Sequence, residues 1–212
     1  MIGFPFHARL LTVLGCLVLL PLVTFGDNGS GGLFGGGDRT VFAYDYFDLG
    51  YLHYQFDDGA VENASGFGGK LSLPIVGTFF GTASLGFATP DTSDGESLDY
   101  VTWKLGAGLG IPLSHNLDFV IEGGLAREKF TADILADPVD GYGTYVTPGL
   151  RLMLGDFIEL NGGVSITNID SQTETGVDLK ALLHLTPTLS LFGNAYYTEE
   201  VSQYGLGLRL SF

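Results

Sequence analysis

The chain has 212 residues, enough for one sizeable domain, and combines 33 glycines, 10 tyrosines and 16 phenylalanines with only 16% charged residues and a formal charge of −15. Glycine, aromatics and acid in these proportions with positive mean hydropathy argue against an ordinary water-soluble globule. So acidic a chain repels nucleic acid and anionic surfaces, which excludes a DNA or RNA partner.

The first 26 residues, "MIGFPFHARLLTVLGCLVLLPLVTFG", place Arg9 and His7 ahead of an apolar run from Leu10 to Val23, with small residues around Gly26. This is the layout of a cleaved export signal (residues 1–26), and the apolar run is short for a membrane-spanning helix. Cys16 is the sole cysteine and leaves with the signal, so the mature chain has neither disulfide nor thiol chemistry. Residues 27–42, beginning "DNGSGGLFGGGDRT", read as a glycine-rich flexible leader.

From Ala43 to Phe212 no helical period and no domain break occur. Period-two alternation recurs instead, in segments long enough to cross a bilayer as tilted strands, for which roughly 9–11 residues suffice. Ten such strands are predicted: Ala43–Phe56, Ser65–Ile75, Thr78–Thr89, Leu98–Pro112, Leu117–Thr131, Tyr142–Leu154, Phe157–Ile169, Gly176–Leu185, Leu189–Thr198 and Ser202–Phe212. Connections after the even strands are short ("VG", "LSHN", "GD", "TPT"). Those after the odd strands are longer and polar ("DDGAVENA", "PDTSDGES", "ADILADPVDG", "DSQTET", "EEV"). Short–long alternation with an even strand count predicts an all-β, closed, antiparallel up-and-down transmembrane barrel, with eight strands as the alternative to ten.

Each strand has an apolar side and a polar or glycine side. In the seventh, Ile158, Leu160, Val164 and Ile166 oppose Glu159, Asn161, Ser165 and Thr167; in the eighth, Val177, Leu179, Ala181, Leu183 and Leu185 oppose Asp178, Lys180 and His184. A secreted soluble sandwich would alternate in the same way. Three features favour lipid. Tyr54, Tyr100, Tyr142, Tyr145, Tyr196, Tyr197 and Tyr204 gather near the long connections and Phe79, Phe119, Phe157 and Phe212 near the short ones, as two interfacial belts would. The long connections carry acids, while five bases sit in mid-strand on the polar side. No strand has an obvious edge, and a sheet in lipid must close.

The last strand, "YGLGLRLSF", with "LSHNLDFVIEGGLA", "YDYFDLGY" and the export signal, resembles the small outer-membrane β-barrel proteins of Gram-negative bacteria, of the porin-like and opacity types, over residues 43–212. That resemblance implies a bacterial outer-membrane location and outer-membrane lipid and lipopolysaccharide as surroundings. It also implies that Tyr204, Leu206, Leu208, Leu210 and Phe212 form the signal read by the barrel-assembly machinery.

If lipid meets the apolar faces, the polar faces line a lumen holding Asp48, Lys70, Lys104, Glu122, Arg151, Glu159, Asp178, Lys180 and Arg209. Bases lie on even strands and most acids on odd ones, so neighbouring strands are expected to pair Asp48 with Lys70, Lys104 with Glu122, Glu122 with Arg151, Arg151 with Glu159, and Glu159 with Lys180. Arg209 would close the ring toward Asp48. Such a network would fill a barrel of this size and leave it a structural or surface-interaction role. The alternative is a narrow channel for small ions or solutes, with Gly106, Gly108, Gly110, Gly163, Gly205 and Gly207 leaving room for water. A second alternative is an outer-rim protease or acyltransferase built on His53 near Asp57 and Asp58, but strand parity puts His53 on the apolar side. No enzyme, cofactor or metal is therefore expected. Acids of the long connections, among them Glu62, Asp91 and Asp133, could hold divalent cations against lipopolysaccharide phosphates, with a solvated surface as the simpler reading.

Overall fold

A computed structural model describes residues 41–56, 63–90, 98–132 and 139–212. Residues 1–40, with the predicted export signal and most of the predicted leader, lie outside the described residues, as do most acids of the first three long connections.

Ten strands form one sheet: β1 (Tyr46–Phe56), β2 (Ala64–Val76), β3 (Phe79–Ala88), β4 (Leu98–Ser114), β5 (Leu117–Ala132), β6 (Val139–Leu154), β7 (Ile158–Ile169), β8 (Gln172–His184), β9 (Leu189–Tyr197) and β10 (Val201–Ser211). Each pairs antiparallel with its chain neighbours, and β1 also pairs with β10, from Tyr46 opposite Ser211 to Phe56 opposite Val201. The sheet is a closed barrel of ten strands, which removes the eight-stranded alternative. Closure leaves no edge whose N–H and C=O groups lack a partner.

The alternating sequence sets which way each strand faces. Leu49, Phe67, Phe79, Leu105, Leu125, Leu150, Leu160, Leu179, Leu191 and Leu206, one from every strand, are exposed on the outer wall. On β10, Leu206 is 72% exposed while Arg209 is 4% exposed. An apolar wall of this extent is costly in water and suited to hydrocarbon. Replacing Leu206 by Arg, at the middle of β10, is expected to destabilise the barrel by about 2–4 kcal/mol in a bilayer. Urea unfolding in lipid vesicles measures this, and a loss below a few tenths of that range would deny Leu206 its lipid contact.

Two connections differ from the sequence expectation. "DSQTET" is a two-residue hairpin turn: Ile169 pairs with Gln172, and Asp170 and Ser171 adopt φ of 49° and 69°. Two consecutive residues with positive φ match the twist of the flanking strands, and a short polar Asp tolerates that conformation, so β8 begins four residues before Gly176. The β9–β10 connection is equally compact, with Val201 donating to Thr198 Oγ1 at 3.0 Å. Long connections therefore follow only β1, β3 and β5.

The first strand also starts later than its alternation implies. Phe42, Tyr44, Tyr46 and Asp48 are all buried and share the inward parity, but pairing stops at Tyr46, opposite Ser211 of β10 and Ser72 of β2, with one further bond from the N–H of Phe212 to Asp45 O at 3.3 Å. Residues 41–45 then turn into the mouth of the barrel at the short-turn end. Phe42, which the sequence assigns to the leader, is thus a buried residue of the bore.

Candidate functional site: the bore

Three layers of side chains fill the bore from the short turns upward. The lowest is the inward-turned segment. Tyr44 stacks on Phe80 at a centroid distance of 4.8 Å and its hydroxyl donates to Asp118 Oδ2 at 2.6 Å. Ser72 Oγ donates to Tyr44 O at 2.6 Å, and Arg151 Nη1 to Ala43 O at 3.2 Å. The Arg151 guanidinium lies 4.8 Å from both the Phe42 and the Tyr44 ring centroids. Of the glycines expected to leave room for water, Gly108 and Gly110 make room for these rings instead. A Cβ on Gly110 would lie 2.0 Å from the Tyr44 hydroxyl, and one on Gly108 would lie 2.3 Å from the Phe80 ring.

The middle layer holds the ion pairs, and they differ from the neighbour-strand pairing the sequence implies. Asp48, 2% exposed, accepts from Arg209 Nε at 2.7 Å, Arg209 Nη2 at 2.9 Å and Lys180 Nζ at 2.9 Å. Lys70 stands directly opposite Asp48 in the β1–β2 register but reaches across the bore to Glu122 Oε2, 2.6 Å away. Glu122 also accepts from Tyr145 OH at 2.8 Å and Thr82 Oγ1 at 3.0 Å. Glu159 accepts from Arg151 Nε and Nη2 at 3.0 and 2.8 Å and from Asn161 Nδ2 at 2.9 Å, with Arg209 Nη1 3.8 Å away. Of the adjacent pairs expected, Arg151–Glu159 and Arg209–Asp48 are present. Asp48–Lys70, Lys104–Glu122, Glu122–Arg151 and Glu159–Lys180 are replaced by Lys180–Asp48 and Lys70–Glu122. The cause is curvature: in a narrow barrel long side chains meet across the bore more easily than along the wall.

The upper layer is wide and wet. A cavity of about 470 Å³ extends from the ion pairs toward the long connections. Glu128, Glu174, Asp178 and Glu200 line it together with Lys104. Asp178 is exposed although it faces the bore, so water enters this layer. Lys104 forms no ion pair among the described residues; its ammonium lies 5.2 Å and 5.8 Å from the ring centroids of Tyr145 and Tyr196.

The tyrosine belt also needs correction. Tyr54, Tyr100 and Tyr145 are buried in the bore and Tyr196 lines the cavity. Outer-wall aromatics include three edge-on pairs, Tyr51–Phe67, Trp103–Tyr142 and Tyr197–Tyr204. Parity would have separated the two sets: Tyr54 shares the even, inward register of Asp48, and Tyr51 does not. His53 lies between Ser65 and Tyr204 in register, and its Nδ1 is 3.2 Å from Ser65 Oγ. Asp57 and Asp58 lie outside the described residues. The contributions of Tyr44, Thr82, Asn161 and His184, whose Nε2 is 3.4 Å from Glu159 Oε2, were legible only as inward parity.

No protein-family model matches this sequence, and no curated protein does. Among solved structures, the NanC porin is 9% identical with a TM-score of 0.49, covering 77% of this chain and 100% of its own. The outer-membrane protein OprG of Pseudomonas aeruginosa is 11% identical, TM-score 0.45, over 83% of this chain and 99% of its own. Ail, the attachment invasion locus protein of Yersinia pestis, is 10% identical, TM-score 0.41, over 79% and 95%. These are likenesses of fold between chains of very low sequence identity. On its own closed sheet, apolar exterior and charged bore, the chain has the fold of a small outer-membrane β-barrel.

Proposed function

We propose that this protein resides in the outer membrane of a Gram-negative bacterium after export by a cleaved signal, with its long connections outward and its tight turns in the periplasm. Its role in this reading is structural or surface-interacting, without enzymatic activity, and its bore is a barrier. The observation that carries the reading is the lower layer, where Phe42, Tyr44, Phe80, Asp118 and Arg151 interlock and are each buried. The mid-bore ion pairs add a second obstacle, since an ion passing them must displace a paired charge. Outward Tyr204, Leu206, Leu208, Leu210 and Phe212 suit a lipid environment and recognition by the barrel-assembly machinery.

The rival reading, a narrow channel, draws on the cavity of the upper layer. Planar bilayers separate the two. The purified wild-type barrel is expected to show no stepwise current, and reproducible steps that scale with salt would replace the barrier reading by the channel.

A further inference from the structure

We propose that the upper half of the bore is a binding site for an extended organic cation bearing two or more ammonium groups. The site does not depend on the barrier reading, because a cup of this shape binds whether or not its floor conducts. Its volume, about 470 Å³, falls within the range of small-molecule sites, roughly 300–1,000 Å³.

The charge of the cavity is one-sided. Asp48, Glu122, Lys70 and Lys180 at its floor are engaged with one another and with Arg209. Above them, Glu128 on β5, Glu174 and Asp178 on β8, and Glu200 between β9 and β10 face Lys104, the one base among the described lining residues above that floor. No three His, Cys, Asp or Glu side chains among the described residues are close enough to hold one metal ion. Separated carboxylates suit a ligand whose positive charge is spread along a chain.

The walls fit the rest of such a ligand. Tyr100 stacks on Phe130 at 4.4 Å and meets Tyr54 edge-on at 5.7 Å, which gives aromatic surface for methylene and ammonium groups. Lys104 shows the mode within the chain itself, its ammonium held near two tyrosine rings without a carboxylate in contact.

An independent sign comes from Thr167 on β7. It lines the cavity, stands opposite Glu174 in the β7–β8 register and is 4% exposed, yet its Oγ1 has no hydrogen-bond partner among the described residues. A buried hydroxyl without a partner is costly, and an ammonium N–H is a donor that would satisfy it.

Calorimetric titration of the detergent-solubilised full-length barrel with spermidine tests the site. Saturable one-to-one binding is expected. It should weaken by about tenfold or more in the Glu128→Gln/Glu174→Gln double variant and by about tenfold in Thr167→Val, as loss of charge-assisted hydrogen bonds implies. It should be unchanged in Asp140→Asn, which alters a carboxylate paired with Arg127 on the outer wall. Gel mobility of unheated samples identifies which variants are folded, and Thr167→Val serves alone if the double variant is not. Three results would overturn the proposal: no binding to the wild type, equal losses in Asp140→Asn and the bore variants, or displacement of spermidine by magnesium at equal concentration, which would make the site a plain counter-ion collar.

Discussion

A Phe42→Ala/Tyr44→Ala double variant is expected to turn a silent barrel into a conducting one. The two rings occupy the bore at the short-turn end, and no other described aromatic side chain packs against both Phe80 and the Arg151 guanidinium. Burying each ring is worth roughly 1.5–3 kcal/mol, and the stacking and cation–π contacts add about 0.5–1.5 kcal/mol each. A total above about 4 kcal/mol holds the open state below roughly one part in a thousand, since each 1.4 kcal/mol is a factor of ten. Removing both rings forfeits most of that and leaves Asp118 without its tyrosine donor. Stepwise currents should appear in planar bilayers and be carried mainly by cations, because the wide half of the bore has an excess of carboxylates. Gly110→Ala approaches the same state from the wall, because its Cβ would fall 2.0 Å from the Tyr44 hydroxyl. If both variants fold and remain silent, residues 41–45 are not the seal.

Loss of Asp48 is expected to be the most damaging single change in the bore. Its carboxylate accepts from Arg209 twice and from Lys180 once, and both Asp48 and Arg209 are almost wholly buried. Asp48→Ala strands two cations, for which about 3–5 kcal/mol is the usual cost. Asp48→Asn keeps the shape and an acceptor, so it should cost less. Equilibrium unfolding in urea with vesicle-embedded protein measures both. A cost near zero for Asp48→Ala would mean that Arg209 finds sufficient compensation in Glu159, 3.8 Å away, and in the Tyr46 ring, 3.6 Å away. The pair Asp48–Arg209 also joins β1 to β10, the seam that closes the barrel, so the same variant should slow assembly.

Most of the wall was legible in the sequence. In β7, Ile158 to Thr167 alternates on either side of the Gly162–Gly163 pair, and that pattern admits one way of facing lipid on one side and the bore on the other. Alternation is silent at turns and at the ends of strands. Asp170 and Ser171 close a turn through positive φ, which acid-rich composition disguised as a loop. Val41 to Asp45 keep the alternation of a strand after their β10 partner has ended, so periodicity alone extends β1 too far. Height along the strand groups Tyr54 and Tyr100 with an interfacial belt, but their parity sends them inward.

The sequence by itself determined the alternation of the strands and which residues of each share a face, because side-chain direction in a strand depends only on odd and even position; that ten of them close is seen in the β1–β10 pairing. Tertiary structure alone decided that Lys70 meets Glu122 and Lys180 meets Asp48, that Tyr44 stacks on Phe80 at the lower mouth, and that unbalanced carboxylates collect in the upper cavity. Those contacts span the bore between strands that are not neighbours, and their distances are set by the curvature of the closed wall, which no local pattern encodes.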